Sequence, residues 1–178
     1  MPRSALMIIA FEKFRDEEYA EPKKVLEAAG FKVTTASLQT GTAKGKYGLE
    51  AQVDIALKDV KAPDYDTVVF VGGPGSHDYF DDPTAQAIAK EAHDEGKIVA
   101  AICAAPSILA NAGLLKGRTA TSFPDQGPNL TAKGAKFTGK GLEIDGNIIT
   151  ADGPEHAKEF GEAIVKSVGW VGGWQPAS

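Results

Sequence analysis

The chain is poor in residues that staple, ligate or anchor. Among its 178 residues there are one cysteine, three histidines and two tryptophans. A lone cysteine cannot close an intramolecular disulfide, which argues against a small secreted scaffold and makes the reducing cytoplasm the expected setting. His77, His93 and His156 stand in separate segments, with no cysteine or carboxylate at a metal-ligand spacing, so no metal site is expected. Excess positive charge is lacking too. With 19 Lys and Arg against 24 Asp and Glu, the net charge is -5. Such a field repels nucleic acid and offers anionic lipid no general attraction, so neither is an expected partner. The first apolar run, residues 5–11, has the length of a strand and falls far short of the roughly 20 residues of a membrane span. No signal peptide or transmembrane helix is expected. The glycine-rich stretches at 41–48 and 72–75 have neither Walker nor dinucleotide spacing, and no cofactor is expected.

What is present reads as one α/β domain over residues 1–178. At 43% hydrophobic and 24% charged, the composition supports a substantial core. Residues 5–11, 66–71 and 97–102 are continuous apolar runs of the kind buried on both faces of a parallel sheet, and 31–38 alternates around β-branched residues. Helical spacing follows at 17–29, stopped by Gly30, at 83–95, stopped by Gly96, and at 104–115, with Pro106 in the first turn. Residues 39–48 read as a surface loop, and 117–140 as loop-rich. Asp145-Gly146 between alternating apolar residues predicts a hairpin, after which Asp152-Gly153-Pro154 opens a last helix to about Val168. Alternating β and α units imply a mostly parallel sheet with helices on both faces, a flavodoxin-like three-layer sandwich. The tail, 169–178, carries Trp170 and Trp174 among glycines and is expected to dock against the body or a partner.

Ligands of an open α/β sheet bind beyond the carboxyl ends of its strands. That rule selects the acids between Glu12 and Glu18, the glycines at 72, 73 and 75, Cys103, and the turn at Asp152. Cys103 stands between a strand and a helix N-terminus, where dipole and free N–H groups favour a thiolate nucleophile titrating below its ordinary range of about 8.5. The glycine loop could aim N–H groups at a developing oxyanion, and His77 follows it closely enough to line a pocket. Glu12, Asp16 and Glu17 suit a helix start whatever else they do, and His93 reads as a solvated helix position.

Ala101-Ile102-Cys103-Ala104-Ala105-Pro106 resembles the nucleophile-elbow motif of the ThiJ/PfpI superfamily. The segment 41–54, with Gly45-Lys46 and Gly48, is similar to the hairpin region of its peptidase branch. Val71-Gly72-Gly73, Ser122-Phe123-Pro124 and Ile144-Asp145-Gly146-Asn147 follow in family order. The resemblance implies Cys103 as nucleophile and Glu18, four residues before Pro22, as its protonated acid/base partner. It also implies the N–H groups of Gly73 and Ala104 as oxyanion donors, and Gly72, Phe123, Pro124 and Asp152 join His77 as candidate pocket residues. Peptidase-like members often place His after the cysteine, where this chain has Ala104. The deglycase branch has His and Arg where this chain has Phe123 and Asp152, so a basic anion pocket is expected to be missing. The resemblance implies a homodimer that turns a small carbonyl substrate such as methylglyoxal into a hydroxy acid without a cofactor. Its rivals are a cysteine peptidase or amidase, and a redox-responsive stress protein or chaperone in which Cys103 is reversibly oxidised.

Overall fold

A computed structural model describes residues 3–171. Seven strands form the central sheet: β1 (Ser4–Ile8), β3 (Lys32–Ser37), β6 (Ile55–Ala56), β7 (Thr67–Phe70), β8 (Ile98–Ile102), β11 (Leu142–Asp145) and β12 (Ile148–Ala151). Their order is β11-β12-β8-β7-β1-β3-β6, with every neighbour parallel except the β11–β12 hairpin. The apolar runs explain why the sheet is covered twice. Along β1, Ala5 and Met7 face one core while Leu6 and Ile8 face the other, and the alternation repeats at Val69 against Val68 and Phe70. Each fully buried aliphatic side chain contributes about 1.5–3 kcal/mol to that burial.

Helices α1 (Asp16–Ala28) and α5 (Ala157–Val171) cover the first face; α2 (Pro83–Asp94), α3 (Pro106–Asn111) and α4 (Gly127–Ala132) lie toward the second. α1 and α5 cross so closely that a Cβ on Gly161 would lie 2.9 Å from the Pro22 Cα. Pro22 lies inside α1 and cannot donate to the Glu18 carbonyl four residues earlier. Asp82 caps α2 by accepting from the Ala85 N–H at 2.8 Å.

The sequence reading needs correction in several places. Residues 39–48 are not all loop: β4 (Gly41–Gly45) pairs with β5 (Glu50–Val53) and with β2 (Glu12–Phe14), making a small sheet beside the first face. Ala43 and Val53 bury into that face, so packing overrides the weak strand propensity of a glycine- and lysine-rich segment. The opening apolar run leaves the main sheet after Ile8, and the helix expected over 104–115 is regular only over α3. Residues 117–140 hold α4 and the short pair β9 (Thr119–Ala120) and β10 (Lys136–Phe137). The last helix begins as a 3₁₀ turn at Pro154–His156 and reaches Val171, three residues beyond expectation; Trp174 and the rest of the tail lie outside the described residues. His93 is half-buried rather than solvated, its Nε2 3.0 Å from Arg118 Nη2, a contact that ties α2 to the chain after α3. Among the described residues no helix is long and apolar enough to cross a membrane, and no cluster of three or more metal-ligating side chains occurs.

Candidate active site

β8 delivers Cys103 to the carboxyl edge of the sheet, where the chain must reverse before α3 begins at Pro106. Cys103 takes a φ of +64°, a left-handed conformation that costs an L residue roughly 1–2 kcal/mol. Two long-range bonds hold it there. Its N–H donates to the Ala151 carbonyl at 2.9 Å, extending the β8–β12 ladder, and its carbonyl accepts from the Phe123 N–H at 2.7 Å. The expected elbow is present.

The loop after β7 meets it from the side. Gly73 has a φ of +106°, and a Cβ there would strike the Arg15 nitrogen and lie 2.8 Å from the Lys13 carbonyl oxygen. Only glycine lets this loop pass beneath the start of α1. The Arg15 N–H donates to the Gly72 carbonyl at 3.0 Å and Ser76 Oγ to the Gly73 carbonyl at 2.6 Å, which fixes the loop on both sides. A Cβ on Gly72 would lie 2.5 Å from Glu18 Oε1 and 2.6 Å from Cys103 Cβ, so the glycine is what allows carboxyl and thiol to meet.

Glu18 is fully buried. Its oxygens bear on the Cys103 thiol and the Gly72 N–H, yet neither reaches a well-formed hydrogen bond. Burial is the main influence on both groups. It lifts the Glu18 carboxyl from 4.5 to about 7, against the pull of Cys103, Arg15 and the Gly72 N–H. It also pushes the thiol well above its ordinary range; the nearby Glu18 charge acts the same way, and the N–H groups of Ala104 and Gly73 oppose it. The expected low-titrating thiol is therefore not what this environment makes. Burial and the Glu18 charge outweigh the elbow's donors, and α3 starts too late to contribute a strong dipole. Carboxyl and sulfur titrate as a unit, holding two protons below about 7 and one above it. The Ala104 and Gly73 N–H groups act on sulfur the other way, toward the thiolate, and are outweighed.

A cavity of about 230 Å³ opens onto Cys103, lined also by Gly73, Pro74, His77, Ala104, Phe123, Arg15, Lys46 and Asp125. His77 thus lines the pocket as expected, its ring 4.4 Å from that of Phe80. A second hollow of about 320 Å³ shares Arg15 and Phe123 and holds Pro124 and Asp152. Asp152 lies in that second hollow rather than at Cys103, because its Oδ1 is bound to His156 Nδ1 at 2.6 Å, which holds that imidazole above its ordinary titration range. The expected absence of basic groups is overturned. Arg15 and Lys46 both line the cavity, supplied by the start of α1 and the β4–β5 turn instead of the positions now held by Phe123 and Asp152. A larger hollow of about 640 Å³ lies across α1, but its principal polar groups are already paired: Tyr19 shares a hydrogen bond with Thr35 at 2.7 Å, and Lys23 pairs with Glu27 at 3.1 Å.

A doubly covered, mostly parallel sheet presenting a strained cysteine against a buried carboxyl defines a nucleophile-elbow α/β protein. The chain belongs to the DJ-1/PfpI family, which it matches over residues 3–167. It is 40% identical to an uncharacterised protein of Methanocaldococcus jannaschii over 92% of this chain and 81% of that one. A deglycase of Pyrococcus horikoshii is 32% identical over 90% of this chain and 97% of its own. The solved ThiJ/PfpI domain protein of Brachyspira murdochii superposes with a TM-score of 0.91 at 35% identity, covering 97% of this chain and 98% of that one.

Proposed function

We propose that this protein is a cofactor-free enzyme of reactive-carbonyl defence that converts methylglyoxal to lactate with Cys103 as nucleophile. The observation that carries the reading is the Cys103–Glu18 pair: a carboxyl held near 7 beside a sulfur at the mouth of a small cavity. Such a carboxyl can give and take protons at neutral pH. The cavity's volume lies just below the roughly 300–1,000 Å³ of ordinary ligand sites and suits a very small substrate.

In this reaction the Glu18 carboxylate takes the proton of the Cys103 thiol as the sulfur adds to the aldehyde carbon, forming a C–S bond. The carbonyl oxygen, facing the Gly73 and Ala104 N–H groups, takes the proton of Glu18. The Glu18 carboxylate then removes the hydrogen of that same carbon as a proton. The electron pair left behind makes an enediolate; the hydroxyl proton of the first carbon passes to the oxygen of the second, and Glu18 returns its own proton to the second carbon. One carbon has been oxidised and its neighbour reduced, with no external electron acceptor. The product on Cys103 is a lactate thioester, and water cleaves its C–S bond to give lactate and restore the thiol. Relatives named deglycases support carbonyl chemistry of this kind. Peptide cleavage is less well served, because protonating a leaving amine needs an acid on its path and His77 stacks on Phe80 without a bond to Cys103.

The test is lactate formation from methylglyoxal by purified protein, with casein cleavage assayed in parallel. Cys103→Ser should abolish lactate, and Glu18→Gln should lower kcat by about 10²–10⁴. The wild-type rate should rise with pH through about 7, as the pair loses its first proton. Cys103-dependent casein cleavage without lactate would overturn the proposal.

A further inference from the structure

From the charged lining of the Cys103 cavity we infer that Arg15 is an anion anchor, and that the preferred substrate is an α-oxoaldehyde carrying a carboxylate at its far end. The substrate class rests on the reading above; the anchor itself can be tested without it. Arg15 is the half-buried cation of the cavity, 28% exposed, and it pairs with Glu17 only through Nε, at 2.6 Å. Both Nη groups stay outside the hydrogen bonds of the described residues. The guanidinium carbon lies 4.9 Å over the Tyr47 ring. Tyr47 is itself held, because Asp16 accepts from the Tyr47 N–H and the Leu49 N–H, each at 3.0 Å, and the Lys46 N–H donates to the Phe14 carbonyl at 2.8 Å. The fork is pre-set by stacking and by one ion pair, with its remaining donors free, as bidentate recognition of a carboxylate requires.

The surroundings agree. Lys46 lines the same cavity, and it joins Lys13 and Lys44, with Glu12, around an adjoining hollow of about 300 Å³. In a chain of net charge -5 this gathers positive charge at the mouth of one site. Asp125, the cavity's carboxylate, is exposed. Neutral methylglyoxal offers a guanidinium no charge to pair with. An α-oxoaldehyde with a terminal carboxylate does, and the second hollow, which shares Arg15 and Phe123, gives room for a short carbon chain between the two ends; of its own carboxylates, Asp152 is bound to His156 and Glu155 is exposed. The conversion remains balanced: aldehyde, ketone and one water give an α-hydroxy acid, with the remote carboxylate unchanged.

Two readouts separate the claims. The first compares kcat/KM for methylglyoxal and for dioxopentanoate, whose adjacent aldehyde and ketone stand at one end and carboxylate at the other. Wild type should favour dioxopentanoate by about tenfold to a hundredfold, the range of one charge-assisted pair, and Arg15→Gln should erase most of that preference. The second needs no turnover: Cys103 is alkylated with iodoacetate and with iodoacetamide, which differ in the carboxylate. The ratio of their rates should fall about tenfold in Arg15→Gln, with Arg15→Lys intermediate, and should fall in wild type as salt is added. An alkylation ratio unmoved by both substitutions overturns the anchor even if lactate forms. A ratio that responds while neither aldehyde is consumed keeps the anchor and removes the proposed reaction. If Arg15→Gln does not fold, Arg15→Lys carries the test, because it keeps the charge and loses the fork.

Discussion

Replacing Glu18 by Gln keeps the shape of the side chain and removes its charge, so the cost of burying that charge becomes measurable. A carboxyl raised from 4.5 to about 7 holds its proton in the native state after the unfolded chain has released it. Between those two pH values the native state binds more protons, and stability falls as pH rises. At about 1.4 kcal/mol per pH unit the loss reaches about 3 kcal/mol and levels off above about 7. Below 4.5 both proteins carry a neutral group and should be similarly stable. Near pH 8 the Gln variant should be the more stable by about 3 kcal/mol, which for a chain of this size is a Tm higher by about 6–12 °C. Thermal or urea unfolding from pH 4 to 8 measures it. The count is of protons bound by the carboxyl–thiol pair, so the result does not depend on which atom carries the last one. Parallel stability curves for the two proteins would refute the buried, unsatisfied carboxyl; a more stable variant that is also inactive would show stability given up for chemistry.

Gly72→Ala places a Cβ within 2.6 Å of Glu18 Oε1, Cys103 Cβ and the Ile102 carbonyl oxygen. It should destabilise the fold by about 1–3 kcal/mol, and lower kcat roughly a hundredfold by separating the pair, as read by urea unfolding and lactate release. Gly161→Ala is a test remote from the site: alanine favours a helix by about 1 kcal/mol, but its Cβ would press on Pro22 at 2.9 Å. A net loss of stability is expected, and a gain would show that α1 and α5 can separate freely.

The sheet and the elbow were legible because buried parallel strands are written as continuous apolar runs and end in small residues. Gly72, Gly73 and Cys103 could be placed at the carboxyl edge from that pattern alone. Glu18 was not separable from Asp16 and Glu17 by helix chemistry; the family resemblance singled it out, and its full burial now distinguishes it. Arg15 and Lys46 were missed for a different reason. They stand 31 positions apart and meet at one cavity only because β4 and β5 fold back beside α1, a pairing that glycine- and lysine-rich residues do not advertise. Titration of Cys103 was misjudged because a sequence shows the helix that follows a thiol but not the depth at which it is buried or the charge that shares its space.

The two backbone bonds that hold Cys103 reach β12 and the Phe123 segment, far from it in the chain. The backbone around Cys103 is therefore fastened on one side to the central sheet and does not fray like a surface loop. Local openings of the exposed turn between β4 and β5 leave the elbow closed, and Cys103 loses its conformation when the β8–β12 ladder or the Phe123 bond parts. The conformation of Cys103 is therefore coupled to the integrity of the central sheet, and a chain that has lost the sheet has lost the elbow with it.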